Sequence, residues 1–319
     1  EQLTIKEGLF RDSPITPAAR ANDATDVWAA RHGNYLSHAA QPFRSASIDH
    51  IQCGKLDCDR EGGEFPGANL GLYSVTYLND LEQDKRTLEA FHAFREEAER
   101  KQFRYFLEVF DPNIDSGIPP EKLGEFINDQ ILRTLAGIAE AGRPDFLKIV
   151  YHGPRLMEEI CQYDPNLVVG VLGGSAGTTY DAFRLLHDAK KHGARVALFG
   201  RKINNAEHQL AFIEFLCLIS EGTIGPEEAV HAYHGVLQGK GITPKLSLEQ
   251  DLELTEQSMR YSDTGGSPSV AIRNNPLTKN KPISPQSDTA WPTKSSGAPD
   301  FASMSADQRL AYHTARLGR

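Results

Sequence analysis

The sequence has few cysteines and no long apolar run. Four cysteines occur in 319 residues, and such a small number, widely spread, predicts reduced thiols rather than a disulfide framework. No stretch reaches the roughly 18 apolar residues that a membrane-spanning helix needs. The first residues, EQLTIKEGLF, lack the basic start and apolar core of a signal peptide. We therefore expect a cytoplasmic protein.

An excess of positive charge is also missing. Lysine and arginine number 34 against 43 aspartates and glutamates, which gives a formal net charge of -9 at pH 7. Nucleic acids and anionic membranes attract basic surfaces, so we expect neither as a partner. An anionic substrate would need positive charge concentrated at one place. The 39% hydrophobic content is enough for a substantial core.

Motifs for metal and nucleotide binding are absent as well. The glycine-rich stretch GVLGGSAGTTYD is not a Walker A loop and does not fit G-x-G-x-x-G. His231 and His234 lie three residues apart, but a zinc ion would need a third ligand. No second pair accompanies His50, Cys53 and Cys58. We therefore predict neither a metal nor a cofactor.

From residue 70 onward the sequence alternates short apolar runs with helical patterns. Five runs predict strands: LGLYSVTYL at 70–78, FRYFLEVF at 103–110, DFLKIVY at 145–151, NLVVGVLGGS at 166–175 and RVALFG at 195–200. Strands separated by helices predict βαβ units and a parallel sheet. Two architectures contain such a sheet, a closed (β/α)8 barrel and an open doubly wound sheet.

Charged residues inside the predicted strands favour the α/β barrel, because inward positions near its C-terminal rim carry chemistry. We therefore predict a (β/α)8 TIM barrel over residues 1–261, with an irregular N-terminal part. A barrel needs eight strands, and FRSASIDHI at 43–51 is a candidate for one more. The remainder of residues 1–69 has no clear periodicity.

The C-terminal part changes character. Residues 262–300 are dense in Ser, Pro, Gly, Asn and Lys, and such a composition cannot bury enough apolar surface to fold alone. We predict an extended arm or linker there, followed by a short helix within 301–319. Ser305 is a candidate cap for this helix, and Leu310 and Tyr312 are candidates for docking it. Both segments could serve oligomer contacts, and we expect a homo-oligomer.

Lys148 needs an explanation, because it interrupts the apolar run DFLKIVYHG and lysine is almost never left unpaired inside a protein. Apolar surroundings disfavour its ammonium form. A neutral amine is a nucleophile that forms a Schiff base with a carbonyl compound. The alternative is an ion pair with an acidic residue on an adjacent strand that only organises the interior. Both interpretations stay open at this point.

Glu108, in FLEVF, is the second charged residue inside a strand. Consecutive parallel strands of a barrel are neighbours about 4.8 Å apart, so Glu108 and Lys148 can both point inward and meet. A carboxyl group beside the amine could transfer protons to the carbinolamine or to a substrate hydroxyl. Its alternative role is to be the counter-charge of Lys148.

Two successive strand-to-helix turns carry glycines and an arginine. Gly173 and Gly174 let backbone N–H groups approach an anion, and Ser175 adds a hydroxyl donor. Gly200 and Arg201 end the following strand. In (β/α)8 enzymes, the turns after the seventh and eighth strands form a phosphate site. The planar guanidinium of Arg201 could bind a phosphate there, or else form a surface salt bridge.

The order and spacing of the five segments resemble the DeoC/LacD superfamily of class I aldolases. The resemblance is to tagatose-1,6-bisphosphate aldolase-like and archaeal-type fructose-bisphosphate aldolase-like proteins, and it covers roughly residues 67–220. GANLGLYSVTYLND is similar to the fourth strand of that family, FRYFLEVF to its fifth, DFLKIVYHG to its sixth, LVVGVLGGSAGTTYDAFRLLHDAKKHGA to its seventh and RVALFGRKI to its eighth. The tagatose-bisphosphate branch has a lysine in the fourth strand, where this sequence has Leu72, Tyr73 and Ser74.

The resemblance implies a metal-independent class I aldolase that reversibly cleaves a phosphorylated sugar through a Schiff base. By resemblance, Lys148 is the Schiff-base lysine, Glu108 is the strand-five carboxylate, and both glycine-containing turns bind phosphate. Two other hypotheses stay open. One is a barrel that binds a sugar phosphate without catalysis, as a sensor or an assembly component. The other is an open sheet that binds nucleotides.

Overall fold

The structure, a computed structural model, describes residues 1–26, 31–59, 61, 63–174, 177–255, 292–295, 299–301, 303–305, 308 and 312. The chain forms two compact units. The first comprises Glu1–Val150 with Asp164–Gly170, and the second comprises Tyr151–Tyr163 with Val171–Arg319. Most of the predicted arm and closing helix lies outside the described residues, so the domain boundaries predicted from the sequence stay predictions.

The first unit is built around short parallel strands. Its strands are β1 (Ala19–Arg20), β2 (Asp23–Ala24), β3 (Pro42–Phe43), β4 (Leu70–Thr76), β5 (Arg104–Phe110) and β6 (Leu147–Ile149). β1, β4, β5 and β6 pair in that order, and each pair is parallel. β2 and β3 form a separate antiparallel pair.

The next strand, β7 (Val169–Leu172), begins in the first unit and ends in the second. In the first unit, the N–H of Leu147 donates to the carbonyl of Val168, directly before β7. In the second unit, the N–H of Gly173, directly after β7, donates to Leu198 of β8 (Val196–Leu198). Among the described residues the sheet therefore has six strands, ordered β1, β4, β5, β6, β7 and β8. The five strands predicted from the sequence are confirmed, and so is the α/β class; the closed eight-stranded barrel stays a prediction.

The described residues of the first unit include three α-helices: α1 (Ile48–Cys53), α2 (Leu81–Arg100) and α3 (Pro120–Leu135). α2 starts where the side chain of Asp80 accepts a hydrogen bond from the N–H of Gln83, a common N-cap contact. α3 starts at a proline, whose missing N–H has no helical partner to lose at this position. Single helical turns of other types occur at Gln2–Lys6, Tyr35–Ser37 and Glu140–Gly142.

Helix α2 covers one face of the sheet in the first unit. Tyr73 of β4 stacks on Phe94 of α2 with ring centroids 4.3 Å apart, and Tyr105 of β5 meets the same ring edge-on at 5.3 Å. Successive side chains of a strand point to opposite faces. Residues one position further along, such as Ser74, therefore lie on the face away from α2.

The second unit is mainly helical. Its helices are α4 (Pro154–Tyr163), α5 (Thr179–Lys191), α6 (Arg201–Asn204), α7 (Gln209–Glu221), α8 (Pro226–Gly239) and α9 (Leu248–Asp251). Aromatic rings from α5, α7 and α8 form its core, namely Phe183, Phe212, Phe215 and Tyr233. No helix in the described part of the chain is both long enough and apolar enough to span a membrane.

Residues from the C-terminal segment join this core. Phe301 is fully buried and contacts the rings of Phe215 and Tyr312, so the predicted docking of Tyr312 is confirmed. The N–H of Gln308 donates to Oγ of Ser305 at 3.3 Å, as expected for a capping side chain. Leu310 lies outside the described residues.

Two predictions about the N-terminal segment are wrong. The stretch predicted as a strand at 43–51 contains helix α1, because the side chain of Ser47 accepts a hydrogen bond from the N–H of His50 and starts a helix there. The four cysteines are not all reduced thiols, since Cys53 and Cys58 form a disulfide. Gly54 ends α1 in the left-handed conformation (φ 73°), and the chain turns back far enough for the two sulfurs to meet. The cytoplasmic location stays a prediction.

Replacing Phe94 with alanine should lower the free energy of unfolding by about 3 to 5 kcal/mol, because it leaves a cavity under the sheet. Phe94 is 0% exposed, whereas Leu81 on the same helix is 80% exposed. Urea denaturation followed by circular dichroism measures the change, with Leu81→Ala as the control, for which we expect a change below about 0.5 kcal/mol. Equal losses for the two variants would contradict the packing of α2 on the sheet.

Candidate functional site

A row of three polar side chains, Ser74, Glu108 and Lys148, crosses the sheet of the first unit on the face away from α2. We call it the polar row. The strand register pairs Ser74 with Glu108 and Glu108 with Lys148. Register partners on neighbouring strands point to the same face, so β4, β5 and β6 each contribute one side chain. The structure thus brings together Glu108 and Lys148, as predicted.

The carboxylate of Glu108 is the centre of the polar row. Its Oε1 forms an ion pair with Nζ of Lys148, and its Oε2 accepts a hydrogen bond from the hydroxyl of Ser74 at 2.7 Å. The side chain of Glu108 is 2% exposed and that of Lys148 is 18% exposed. The carboxylate is therefore closed to bulk water, while the amine keeps a small opening. Chemically, the pair can act as a nucleophile beside a proton acceptor or as a purely structural ion pair.

Asn22, which follows β1, and Arg20, the last residue of β1, hold Ser74 in place. Asn22 binds both backbone groups of Ser74: its Oδ1 accepts from the N–H at 2.7 Å and its Nδ2 donates to the carbonyl at 2.8 Å. Arg20 donates from Nη1 to Oγ of Ser74 at 3.3 Å. The hydroxyl of Ser74 is then directed to Glu108. No sequence pattern pointed to Asn22 or Arg20, because their segment has no periodicity.

Thr76 ends β4 two residues after Ser74, on the same face as the polar row. Its side chain is 4% exposed, and among the described residues its Oγ1 has no hydrogen-bond partner. An unsatisfied buried hydroxyl costs about 1 to 3 kcal/mol. The alternation of Ser74 and Thr76 with Tyr73 and Val75 was a usable sequence signal, because it places both hydroxyls on one face.

In the second unit, the predicted phosphate turn after β7 has a packing role at Gly173. The N–H of Gly173 donates to the carbonyl of Leu198 at 3.0 Å, and a Cβ atom there would lie 2.1 Å from the ring of Phe199. Gly174 is exposed and has a φ of 60°, which favours glycine. Ser175 lies outside the described residues.

The N-terminus of α5, which follows this turn, is occupied by carboxylates of the chain itself. The N–H of Thr178 donates to Asp181 at 2.7 Å, and the N–H of Thr179 donates to Asp251 at 2.6 Å. These two N–H groups are the ones that an anion at a helix N-terminus would use. Both N–H groups are therefore already bonded to carboxylates.

The turn after β8 presents Gly200 and Arg201 at the start of α6, both exposed. It also contains Lys202, for which the sequence predicted no role. Nζ of Lys202 donates to the carbonyl of Gly177 at 2.5 Å, so this side chain connects the turn after β8 to the turn after β7. Burial lowers the pKa of Lys202. The sequence signal that could have identified Lys202 is its position next to Arg201 in a strand-to-helix turn.

His234 contacts a carboxylate. Its Nε2 lies 2.9 Å from Oδ2 of Asp251, whose other oxygen accepts from Thr179. Burial acts to raise the pKa of Asp251, but the hydrogen bonds from His234 and Thr179 outweigh it and hold that pKa below its ordinary value. Within the described residues, no three or more His, Cys, Asp or Glu side chains are grouped to hold a metal ion.

Comparisons with known proteins give a distant structural likeness. No protein-family profile matches the chain, and no curated protein matches it. The crystal structure of an archaeal fructose 1,6-bisphosphate aldolase matches with a TM-score of 0.42 and 16% sequence identity over 56% of this chain. The match covers 63% of that structure, less than two thirds of its length. At this level the comparison does not define an activity.

Replacing Asp251 with asparagine should lower the free energy of unfolding by about 1 to 3 kcal/mol at neutral pH, because a charged acceptor for His234 and Thr179 is lost. The folded-state pKa of Asp251 lies below the ordinary value of 3.8. Its stabilisation is therefore complete above that value and disappears as the pH falls through the folded-state pKa.

Urea denaturation of the wild type and Asp251→Asn between pH 7 and pH 3 measures this pH dependence. The difference in their free energies of unfolding should become smaller only at the acid end of this range. Glu249→Gln is the control, since Glu249 is an exposed residue of the same helix. A difference in the free energy of unfolding that stays constant down to pH 3 would contradict the lowered pKa of Asp251.

Proposed function

We propose that this protein is a class I aldolase in which Lys148 forms a Schiff base with the carbonyl group of a phosphorylated sugar. The observation that carries the proposal is the buried contact between Lys148 and Glu108 on the face of the sheet away from α2. A buried ion pair is often no more stabilising than apolar residues of similar volume. Its presence in a sheet interior is therefore better explained by chemistry than by stability.

The proposed reaction uses the two side chains in turn. The carboxylate of Glu108 accepts a proton from the ammonium of Lys148, and the neutral amine adds to the carbonyl carbon to give a carbinolamine. Glu108 returns the proton to the carbinolamine oxygen, which leaves as water and yields a protonated imine. Glu108 next accepts the proton of the hydroxyl group on the second carbon from the imine carbon, and the bond between that carbon and the first one breaks. The electron pair of this bond passes to the imine, which becomes an enamine, and the hydroxyl-bearing carbon leaves as an aldehyde. Glu108 returns the proton to the enamine carbon, and hydrolysis of the resulting imine regenerates the free lysine. The imine is the electron sink, so the proposed step needs no metal.

Phosphate binding is proposed for the turns of the second unit, formed by Gly173, Gly174, Ser175, Gly200 and Arg201. Arg201 carries most of this part of the proposal, because its guanidinium is exposed at the start of α6 and guanidinium groups bind phosphate through a planar fork. Gly174 and Gly200 are exposed beside it, whereas the N–H of Gly173 is already bonded. Lys202 adds a second cationic group to the same pair of turns.

A non-catalytic sugar-phosphate sensor or assembly component is the second candidate. The observation in its favour is that the amine of Lys148 already has a counter-charge in Glu108, which a structural ion pair would also provide. This candidate predicts that sugar phosphates bind without any covalent adduct and without turnover. The homo-oligomeric state is likewise a proposal, and size-exclusion chromatography with light scattering tests it.

Borohydride reduction in the presence of carbonyl substrates should attach the substrate to Lys148, because it converts the imine to a stable amine. We expect the adduct with at least one member of a panel that includes dihydroxyacetone phosphate, detected by peptide mass spectrometry. Lys148→Met should abolish it. Glu108→Gln should slow its formation by about 100-fold or more, because proton transfer is lost.

Lys122→Met is the matched control for the trapping experiment, since the side chain of Lys122 on α3 is 60% exposed. It should leave the adduct unchanged. An adduct on another lysine, or an undiminished adduct in Lys148→Met, would refute the proposed nucleophile. Binding of sugar phosphates with no adduct in the wild type would support the sensor.

Arg201→Gln should weaken the binding of dihydroxyacetone phosphate by about tenfold or more, because a charged hydrogen bond contributes about 1.5 to 3 kcal/mol. Isothermal titration calorimetry measures the dissociation constants. Arg195→Gln is the control, because Arg195 is also exposed but lies at the opposite end of β8. If both variants bind as tightly as the wild type, phosphate binding at the turn after β8 is excluded.

A further inference from the structure

Arg20 adds a second cation to the face of the sheet that carries the polar row. Its register partner is Leu72, which lies two residues before Ser74 on β4, so Arg20 and Ser74 point to the same face. Nη1 of Arg20 donates to Oγ of Ser74 at 3.3 Å. Polar side chains on this face therefore extend over four neighbouring strands, from Lys148 on β6 to Arg20 on β1.

Most of the hydrogen-bond donors of Arg20 are unused. A guanidinium group carries its N–H donors in a planar fork, and only Nη1 contacts Ser74. Nη1 also lies 3.8 Å from Oδ1 of Asp23, which is beyond hydrogen-bond distance. Among the residues that the structure describes, Nε and Nη2 have no hydrogen-bond partner. Since the side chain of Arg20 is 40% exposed, a ligand can approach this edge of the guanidinium from solvent.

The charges on this face favour a ligand with one negative charge. Glu108 is the counter-charge of Lys148, and it would be the counter-charge of a protonated imine there as well. The charge of Arg20 is matched only loosely, by Asp23 at 3.8 Å. A carboxylate carries one negative charge, and its two oxygens fit two parallel N–H groups of a guanidinium. A phosphate monoester carries up to two negative charges and would need a further cation beside Arg20.

The order of these groups indicates where the carboxylate lies on the ligand. The hydroxyl of Ser74 and the carboxylate of Glu108 stand between the guanidinium and the amine. A carboxylate attached directly to the carbonyl carbon would stay beside the amine and would not extend past both groups. A carboxylate separated from the carbonyl carbon by further carbons can extend along the sheet to Arg20.

We propose that Arg20 binds a carboxylate of the compound captured by Lys148, so that the substrate is an oxo acid whose carboxylate lies several carbons from the carbonyl group. The inference rests on the proposed Schiff base at Lys148 and names the class of substrate that forms it. Arg20 is a specificity-determining residue in this account, and proton transfer remains with Glu108. A phosphorylated sugar acid would carry both this carboxylate and the phosphate group proposed for the turns of the second unit.

The test compares levulinate with 2-pentanone, two methyl ketones of equal carbon number of which only levulinate carries a carboxylate. Borohydride trapping on Lys148 is measured for both ketones by peptide mass spectrometry, and the ratio of their trapping rates is compared between variants. A general loss of reactivity cancels in this ratio. We expect Arg20→Gln to lower the levulinate-to-pentanone ratio by about three- to tenfold, because one partly exposed charged contact is lost. Arg20→Lys keeps the charge without the planar fork, so its ratio should lie between the two.

Arg104→Gln is the matched control, for which we expect the wild-type ratio. Arg104 points to the same face of the sheet as Glu108, four residues earlier on β5, and its side chain is 61% exposed and paired with Asp145. It lies at the amino end of the strand, away from the polar row. A levulinate-to-pentanone ratio that falls equally in Arg104→Gln and Arg20→Gln would contradict a specific contact at Arg20.

A second pair of ketones separates carboxylate from phosphate binding. The trapping ratio of dihydroxyacetone phosphate to hydroxyacetone should stay at the wild-type value in Arg20→Gln, because the phosphate is assigned to other residues. A fall in this ratio without a fall in the levulinate-to-pentanone ratio would overturn the carboxylate assignment. An unchanged levulinate-to-pentanone ratio in Arg20→Gln would overturn the inference while the adduct on Lys148 stands. If no ketone forms an adduct with the wild type, the proposed function fails, and this inference with it.

Discussion

The ion pair between Glu108 and Lys148 is the interaction on which the remainder of the first unit depends. Removing a carboxylate and an ammonium from water is expensive, and only close pairing with further hydrogen bonds compensates for the cost. The second oxygen of Glu108 is satisfied by Ser74, and Ser74 is held in turn by Asn22. The pair therefore requires three neighbouring strands to keep one register.

This requirement links the polar row to the packing of α2. A shift of one residue in a strand would exchange its two faces, so Ser74 would meet α2 and Tyr73 would enter the row. The stacking of Tyr73 on Phe94 opposes such a shift, since it buries aromatic surface only in the observed register. The packing of Tyr73 on one face of the sheet thus determines which side chains form the polar row on the other face. As a result, the amine of Lys148, whose side chain is 18% exposed, lies beside the almost fully buried carboxylate of Glu108.

The sequence predicted the strands β4 to β8 and the meeting of Glu108 with Lys148, because both follow from local patterns and from the geometry of consecutive parallel strands. It failed where contacts join distant parts of the chain. The carboxylate at the N-terminus of α5 comes from Asp251, 72 residues after Thr179, and no local pattern reports such a pairing. Helix α1 was missed because a helix of six residues is too short to show a clear periodicity, and only the cap at Ser47 marks its start.

Exchange of the carbonyl oxygen with solvent tests the central claim most directly. Imine formation expels this oxygen as water, and hydrolysis of the imine returns an oxygen from solvent, so each cycle at Lys148 labels the substrate in ¹⁸O-water. Mass spectrometry of dihydroxyacetone phosphate and hydroxyacetone follows the label. The account predicts that the wild-type protein accelerates incorporation above the uncatalysed rate and that folded Lys148→Met does not. Equal acceleration by the two proteins, or none by the wild type, would contradict it.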